Sequence, residues 1–195
     1  MRFSDITARI TNLITNELNY SDEKKEIITY AVETALLSVF GTLLLVVFGY
    51  LVNALEPAMM AALFGVLLRR VSGGAHFNTP LKCLLIGALI FTALGILAKI
   101  LVAYDVLNAT FQMLILLVSF ILVALLAPVD SDAKPIHSGK LRISLKISSL
   151  IFIGLSFLMI TFTYDKLLNV SAILGLLYQS ITLLPIFNRK GGDAL

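Results

Sequence analysis

The feature that most constrains the fold is a set of long apolar segments without charged residues. Residues 106–127 and 147–163 contain no Asp, Glu, Lys or Arg. Such segments approach the roughly 20 residues that a helix needs to cross the hydrocarbon core of a bilayer. The chain is 58% hydrophobic and only 14% charged, against about 25% charged residues in soluble domains. A water-soluble fold of 195 residues could not bury so many long apolar segments, so the sequence predicts an integral membrane protein.

The apolar segments predict an all-α membrane protein with about six transmembrane helices, folded as one domain over residues 1–195. The second span is short, so we expect it to be tilted, partly re-entrant or extended by its neighbours. Pro57 opens this span near its first turn, where a missing N–H is tolerated. The expected spans cover residues 32–54, 56–68, 81–103, 106–127, 143–163 and 167–187.

Residues 1–20 have the periodicity of an amphipathic helix. They contain acidic residues and lack a continuous apolar core, so a cleavable signal peptide is not expected. The helix can lie at the membrane surface or pack on the protein's own loops, and the sequence leaves both readings open. Its apolar face comprises Phe3, Ile6, Ile10, Leu13, Ile14 and Leu18, and its polar face comprises Arg2, Asp5, Arg9, Asn12, Asn16 and Glu17.

The basic residues are distributed asymmetrically along these spans. With the N-terminus inside and six crossings, every Lys and Arg except Lys99 and Lys166 falls in a cytoplasmic segment. Cytoplasmic loops of membrane proteins carry such an excess, so both termini are predicted to be cytoplasmic. The net charge of +3 is too small and too dispersed for a nucleic-acid partner. The predicted cytoplasmic segments are residues 1–31, 69–82, 128–146 and 188–195.

The segment 69–83 carries the strongest signal for chemistry. The single cysteine, Cys83, follows Thr79 and Pro80, which suit the N-cap and the first position of a helix. Cys83 is therefore predicted in the first turn of the third span. Unpaired N–H groups, the helix dipole and Lys82 favour a thiolate there. The alternative is that Cys83 is an inert apolar residue at the start of a membrane helix.

His76 precedes Cys83 by seven residues in the same loop. A loop that folds back onto the helix start would bring the imidazole within hydrogen-bond reach of the sulfur. A Cys–His pair suffices for thiol acyl transfer, because histidine can remove the thiol proton and later protonate the leaving amine. Alternatively, His76 faces lipid headgroups or solvent. No third catalytic residue is evident; Asp130 and Asp132 could orient His76 or could be solvated loop acids.

Gly73 and Gly74 precede the histidine in this loop. Paired glycines let backbone N–H groups approach a ligand closely, as an oxyanion hole requires, although they more commonly form a turn. Arg69 and Arg70 could bind a substrate carboxylate or could anchor the loop at the headgroups. Anchoring is expected for at least one of the two arginines.

The loop resembles that of the AgrB family of membrane peptidases, which act in quorum-sensing systems of Gram-positive bacteria. The shared pattern is Arg69, then the run Gly73-Gly74-Ala75-His76, then Cys83 at a helix start. A second loop is also similar, with Ala127-Pro128-Val129-Asp130 followed by Lys134-Pro135-Ile136. The resemblance extends over nearly the whole chain.

The resemblance implies a cysteine endopeptidase in the cell membrane, with its active site facing the cytoplasm. It implies removal of the C-terminal segment of an AgrD-like precursor peptide, and joining of the new carboxyl to an internal side chain as a cyclic thioester or ester. Cys83 is then the nucleophile and His76 the general base and acid, with Arg69, Gly73 and Gly74 supporting the site. Membrane lipid is the expected surrounding, and the resemblance also implies a homodimer.

The strongest alternative is a small polytopic transporter or peptide exporter without proteolytic activity. Transporters usually place ionisable residues within their spans, whereas Glu33 and Lys99 lie near span ends here. A metal site formed by His76, Cys83 and His137 lacks recognisable ligand spacing. Neither a metal nor another cofactor is therefore expected.

Overall fold

A computed structural model describes Thr7, Thr11 and residues 22–75, 79–130 and 138–188. The three ranges hold six α-helices and no β-strand; their one isolated bridge pairs Gly73 with Val129. The elements are α1 (Asp22–Leu51), α2 (Leu55–Ser72), α3 (Pro80–Ala103), α4 (Ala109–Leu126), α5 (Gly139–Phe162), α6 (Lys166–Ile181) and a 3₁₀ turn (Pro185–Phe187).

Four of these helices, α1, α3, α4 and α5, are long and apolar enough to cross a membrane. Their outward faces expose large apolar side chains such as Leu85, Leu114 and Ile151. Such faces are stable in contact with lipid and costly in contact with water. The prediction of an all-α membrane protein is confirmed.

Helix α2 is longer than the predicted second span. It has 18 residues and continues past residue 68 through Arg69 and Arg70, because arginine is a good helix former. The helix stops at Gly73, which adopts a φ of 70° that favours glycine. Its length of about 27 Å is close to the thickness of a bilayer core.

Helix α6 is shorter than the predicted sixth span and ends at Ile181 instead of residue 187. Pro185 disfavours helical backbone at the residue before it, and Leu184 is accordingly extended, with a ψ of 141°. The hydroxyl of Thr182 donates to Gln179 O at 2.7 Å, which favours a turn at this point. The chain therefore leaves α6 in a turn and not as a continuing helix.

The two helices outside this group of four, α2 and α6, pack against each other at the centre of the bundle. Ten of the 16 residues of α6 are buried. Small residues allow the close approach: a Cβ added at Gly175 would lie 2.1 Å from Ala61 O, and one added at Gly65 would lie 3.1 Å from Gly175 O. Close contact through small residues is the usual means by which helices associate in membranes.

The loops meet in two groups at opposite ends of the bundle. At the end that we call the Cys83 end, Val129 N–H donates to Ser72 O at 2.9 Å and Ala75 N–H donates to Thr182 O at 3.3 Å. This grouping agrees with the predicted alternation of the loops, while the cytoplasmic assignment of the Cys83 end stays a prediction. At the opposite end, Lys99 Nζ donates to Asn53 O at 2.7 Å and Lys166 Nζ lies 3.0 Å from Asp105 Oδ1.

Thr7 and Thr11 are the described residues of the predicted amphipathic helix over residues 1–20. Both are helical and buried, with exposed fractions of 3% and 5%. The two interpretations of this segment, a helix at the membrane surface and a helix packed on the protein's own loops, both stay predictions. The other residues of the segment lie outside the described part of the chain.

Candidate active site

Cys83 lies in the first turn of α3, as predicted. The helix begins at Pro80, and the Cys83 N–H donates to Thr79 O at 3.2 Å. Thr79 has the extended backbone of an N-cap residue, but its side chain makes no capping hydrogen bond. Cys83 is a free thiol with intermediate exposure. Part of this residue is therefore accessible at this end of the bundle.

The glycines of the loop serve its close packing. Gly73 and Gly74 have φ values of 70° and 130°, where residues with a side chain are strained. A Cβ at Gly73 would lie 2.3 Å from Val129 O, and one at Gly74 would lie 2.8 Å from Thr182 Oγ1. The segment 72–75 is thus pressed against both the loop after α4 and the end of α6.

Backbone groups of this segment are engaged within the protein. Gly73 N–H donates to Arg69 O at 3.0 Å, and Gly73 O accepts from Gln179 Nε2 at 2.7 Å. Ala75 N–H is bound to Thr182 O. An oxyanion role for Gly73 would require its present hydrogen bond to break, so Gly73 in this conformation shapes the loop. The predicted support of an oxyanion by Gly73 and Gly74 stays a prediction.

The two arginines have different surroundings. The Arg69 side chain is half-buried, and its guanidinium donates to Ala75 O. Arg70 is exposed. Arg69 therefore braces the residue that immediately precedes His76, whereas Arg70 is free to meet headgroups or a substrate carboxylate.

The end of α6 contributes residues that sequence reasoning missed. Gln179 donates through Nε2 to Gly73 O at 2.7 Å and to Ser72 Oγ at 3.2 Å. The adjacent Tyr178 packs edge-on against Phe91, with ring centroids 5.6 Å apart. The sequence contained one signal for Gln179, an amide side chain inside an apolar span. A polar group there is costly unless it has a hydrogen-bond partner.

Asp130 forms an ion pair with Arg142 at the start of α5. One carboxylate oxygen, Oδ1, is buried and has no hydrogen-bond partner within the described part of the chain. Asp130 is thus not simply a solvated loop acid, which was one of the two interpretations of the sequence. His76, Asp132 and His137 lie outside the described residues, so the pairing of His76 with Cys83 stays a prediction. Among the residues that are described, no three His, Cys, Asp or Glu side chains are grouped to hold a metal ion.

Fold and site define a class of protein: an all-α membrane protein whose single thiol lies at a helix start, beside a glycine loop held by a buried helix. The chain belongs to the accessory gene regulator B (AgrB) family, which matches residues 7–183. This confirms the resemblance drawn from the two loops. Membership implies involvement in an accessory gene regulator system and the processing of its quorum-sensing peptide.

Named relatives agree with the family match. The chain is 30% identical over 198 residues to an AgrB-like protein of Clostridium perfringens (strain SM101 / Type A), covering 94% of this chain and 92% of the relative. It is 31% identical over 140 residues to the accessory gene regulator protein B of Staphylococcus intermedius, covering 72% and 71% of the two chains. No solved structure matches the chain.

Proposed function

We propose that this protein is a membrane-embedded cysteine endopeptidase that cleaves an AgrD-like precursor peptide and promotes its cyclisation. The observation that carries the proposal is the partly exposed thiol of Cys83 in the first turn of α3. The segment 72–75, which leads directly to His76, is fixed at the same end of the bundle. Family membership supports the nature of the substrate.

In the first step, His76 takes the proton from the Cys83 thiol, and the thiolate attacks the scissile carbonyl carbon of the precursor. The tetrahedral intermediate collapses, the C–N bond breaks, and His76 gives its proton to the leaving amine of the C-terminal fragment. The products of this step are a free tail peptide and a thioester between Cys83 and the remaining precursor.

In the second step, an internal Cys or Ser of the bound precursor attacks the thioester carbonyl. His76 takes the proton of this nucleophile and returns one to the Cys83 sulfur as the acyl bond to Cys83 breaks. The product is a cyclic thioester or ester. Because the nucleophile is tethered to the acyl group, its effective concentration is high, and a site that excludes water suppresses competing hydrolysis.

The energy balance of the two steps differs. Exchange of an acyl group between two thiols is nearly balanced, so cyclisation to a thioester requires no ATP. Conversion of an amide to a thioester is uphill. Removal of the tail fragment after cleavage draws this first step forward.

The same proposal covers the location of the enzyme. Four long apolar helices and the two groups of loops support a multi-pass protein of the cell membrane. The distribution of basic residues supports a cytoplasmic position for the Cys83 end, where a precursor that has not been exported can reach the thiol. The proposal includes a Gram-positive host and a homodimer, which the family resemblance supports.

A transporter without proteolytic activity is the competing function. In the described part of the chain, no Asp, Glu, Lys or Arg is buried. Transport pathways usually place ionisable side chains inside the bundle. The described helices therefore favour the peptidase.

Co-expression with an AgrD-like precursor tests the proposal. The precursor carries a C-terminal tag, and its processing is compared between the wild type, Cys83→Ala and His76→Ala at equal membrane levels. We expect the wild type to release the tagged tail and both variants to leave the precursor intact. Normal processing by Cys83→Ala would refute the peptidase.

A further inference from the structure

We infer that Gln179 is a positioning residue for the proposed catalytic pair, because it fixes the segment 72–75 and thereby sets where His76 stands relative to Cys83. This inference rests on the proposed function. It adds a residue of α6 to a site that the sequence placed entirely within the segment 69–83.

Gln179 is buried and holds the segment 72–75 by two hydrogen bonds. Its side chain is 1% exposed, and its Nε2 lies 2.7 Å from Gly73 O and 3.2 Å from Ser72 Oγ. A carbonyl oxygen can only accept, so the amide must present its NH2 group to Gly73. Ser72 is itself fully buried. Loss of the amide would leave a buried carbonyl without its donor, which costs about 1–3 kcal/mol.

The hydrogen bond from Gln179 holds the chain at a residue close to His76 in sequence. Only Gly74 and Ala75 separate Gly73 from His76. A Cβ added at Gly74 would lie 3.0 Å from Gln179 Nε2, so the loop rests directly on this side chain.

The same segment has a second attachment point at the end of α6, which uses backbone oxygens and not the Gln179 amide. Ala75 N–H donates to Thr182 O at 3.3 Å, and Thr182 Oγ1 donates to Gln179 O at 2.7 Å. The chain is therefore tied to the end of α6 on both sides of Gly74.

The end of α6 also packs against α3, the helix that carries Cys83. Tyr178, the residue before Gln179, packs edge-on against Phe91 of α3. One helix end thus contacts the loop that leads to His76 and the helix that carries Cys83. We therefore expect loss of the Gln179 hydrogen bonds to change the position of His76 relative to Cys83.

Asn169 provides a matched control on the same helix. It is also a buried amide, 7% exposed, and its Nδ2 donates to Thr163 O at 2.8 Å and to Ile160 O at 3.2 Å. Asn169 lies near the other end of α6, away from Cys83. Loss of either amide perturbs the fold in a similar way, whereas only Gln179 supports the loop of the site.

The experiment measures the reactivity of Cys83 in the full-length protein in membranes. The chain has one cysteine, so iodoacetamide labelling at neutral pH reports this thiol alone, and labelling after denaturation in detergent gives the total. We compare wild type, Gln179→Met, Asn169→Leu and His76→Ala. An unassisted thiol is only a few per cent thiolate at pH 7, so loss of assistance slows labelling by about 10-fold.

We expect Gln179→Met to be labelled about 10-fold more slowly than the wild type, as slowly as His76→Ala, while Asn169→Leu keeps the wild-type rate. An equal decrease in Asn169→Leu would overturn the inference, because it would indicate general loosening. If Gln179→Met does not accumulate in membranes, Gln179→Asn takes its place. Its amide is one methylene shorter and cannot reach both acceptors, so a wild-type rate there would also overturn the inference.

The His76→Ala measurement separates the proposed Cys–His pair from the proposed role of Gln179. A wild-type labelling rate in His76→Ala would remove the proposed Cys–His pair and with it the basis of the inference. Slow labelling in His76→Ala together with a wild-type rate in Gln179→Met would leave the peptidase standing and remove only the role of Gln179.

Discussion

The backbone N–H of Val129 donates to the carbonyl oxygen of Ser72 at 2.9 Å, which joins the loop after α4 to the loop after α2. These two loops contain the two sequence motifs that resemble the AgrB family. The bond makes them one surface at the Cys83 end of the bundle. Residues from both loops are therefore expected to affect the same chemistry.

Gly73 is the tightest point of this surface, and Gly73→Ala should impair cleavage strongly. The backbone of Gly73, with a φ of 70° and a ψ of −150°, costs a residue with a Cβ about 1–3 kcal/mol, and the new Cβ would collide with Val129 O. We expect precursor cleavage to fall by at least about 10-fold. Gly87→Ala is the control, since nothing lies within 4 Å of a Cβ there. Equal cleavage rates in the two variants would contradict the role given to Gly73.

The two arginines should differ in the same cleavage assay. Arg69→Ala removes a charged donor from Ala75 O, an interaction of a kind that contributes about 1.5–3 kcal/mol. We expect cleavage to fall about 10-fold or more at unchanged membrane levels. Arg70 is exposed, and Arg70→Ala should stay within about 3-fold of the wild type. A larger loss in Arg70→Ala than in Arg69→Ala would show that substrate binding, and not support of the loop, dominates.

The ion pair between Asp130 and Arg142 should contribute modestly to stability. Both side chains are partly exposed, at 26% and 53%, so each of Asp130→Asn and Arg142→Gln should cost about 0.2–1 kcal/mol. The double variant should cost little more than either single one, because both changes remove the same interaction. Thermal unfolding of the purified protein in detergent measures this. Strict additivity of the two effects would show that the pair does not couple the second loop to α5.

The predicted topology can be tested with reporter fusions. Asp105 and Lys166 form an ion pair at the end of the bundle opposite Cys83. Fusions at residues 105 and 165 should therefore both report an external position, and a fusion at residue 188 should report a cytoplasmic one. A cytoplasmic signal at either external site would reverse the assignment of the Cys83 end.

Much of the fold was predictable, because helix starts and apolar segments are local signals. Pro80 marked the start of α3 and so placed Cys83 in its first turn, as the structure has it. The charges predicted which loops share a face, and the contacts of Ser72 with Val129 and of Ala75 with Thr182 agree. The predicted end of α6 was wrong. The apolar segment continues past Ile181, but Pro185 and the Thr182 hydroxyl turn the chain there.

The support of the site was not predictable from local patterns. Gln179 contacts Gly73 across 106 positions of sequence, and no periodicity or spacing reports such a pair. The close packing of Gly65 and Gly175 likewise depends on how α2 and α6 meet. A glycine pair reads in sequence as a turn or as an oxyanion hole, and only the neighbours in space show that Gly73 and Gly74 are required for packing.

The acyl-enzyme at Cys83 is tested most directly by the mass of the intact protein after reaction with a precursor whose internal nucleophile is replaced by Ala. This precursor cannot cyclise, so the acyl group should accumulate on Cys83 as a thioester. We expect a mass increase equal to the N-terminal acyl group of the precursor, removable by hydroxylamine and absent in Cys83→Ala. Release of the tail fragment by Cys83→Ala, or an adduct of the same mass on that variant, would contradict it.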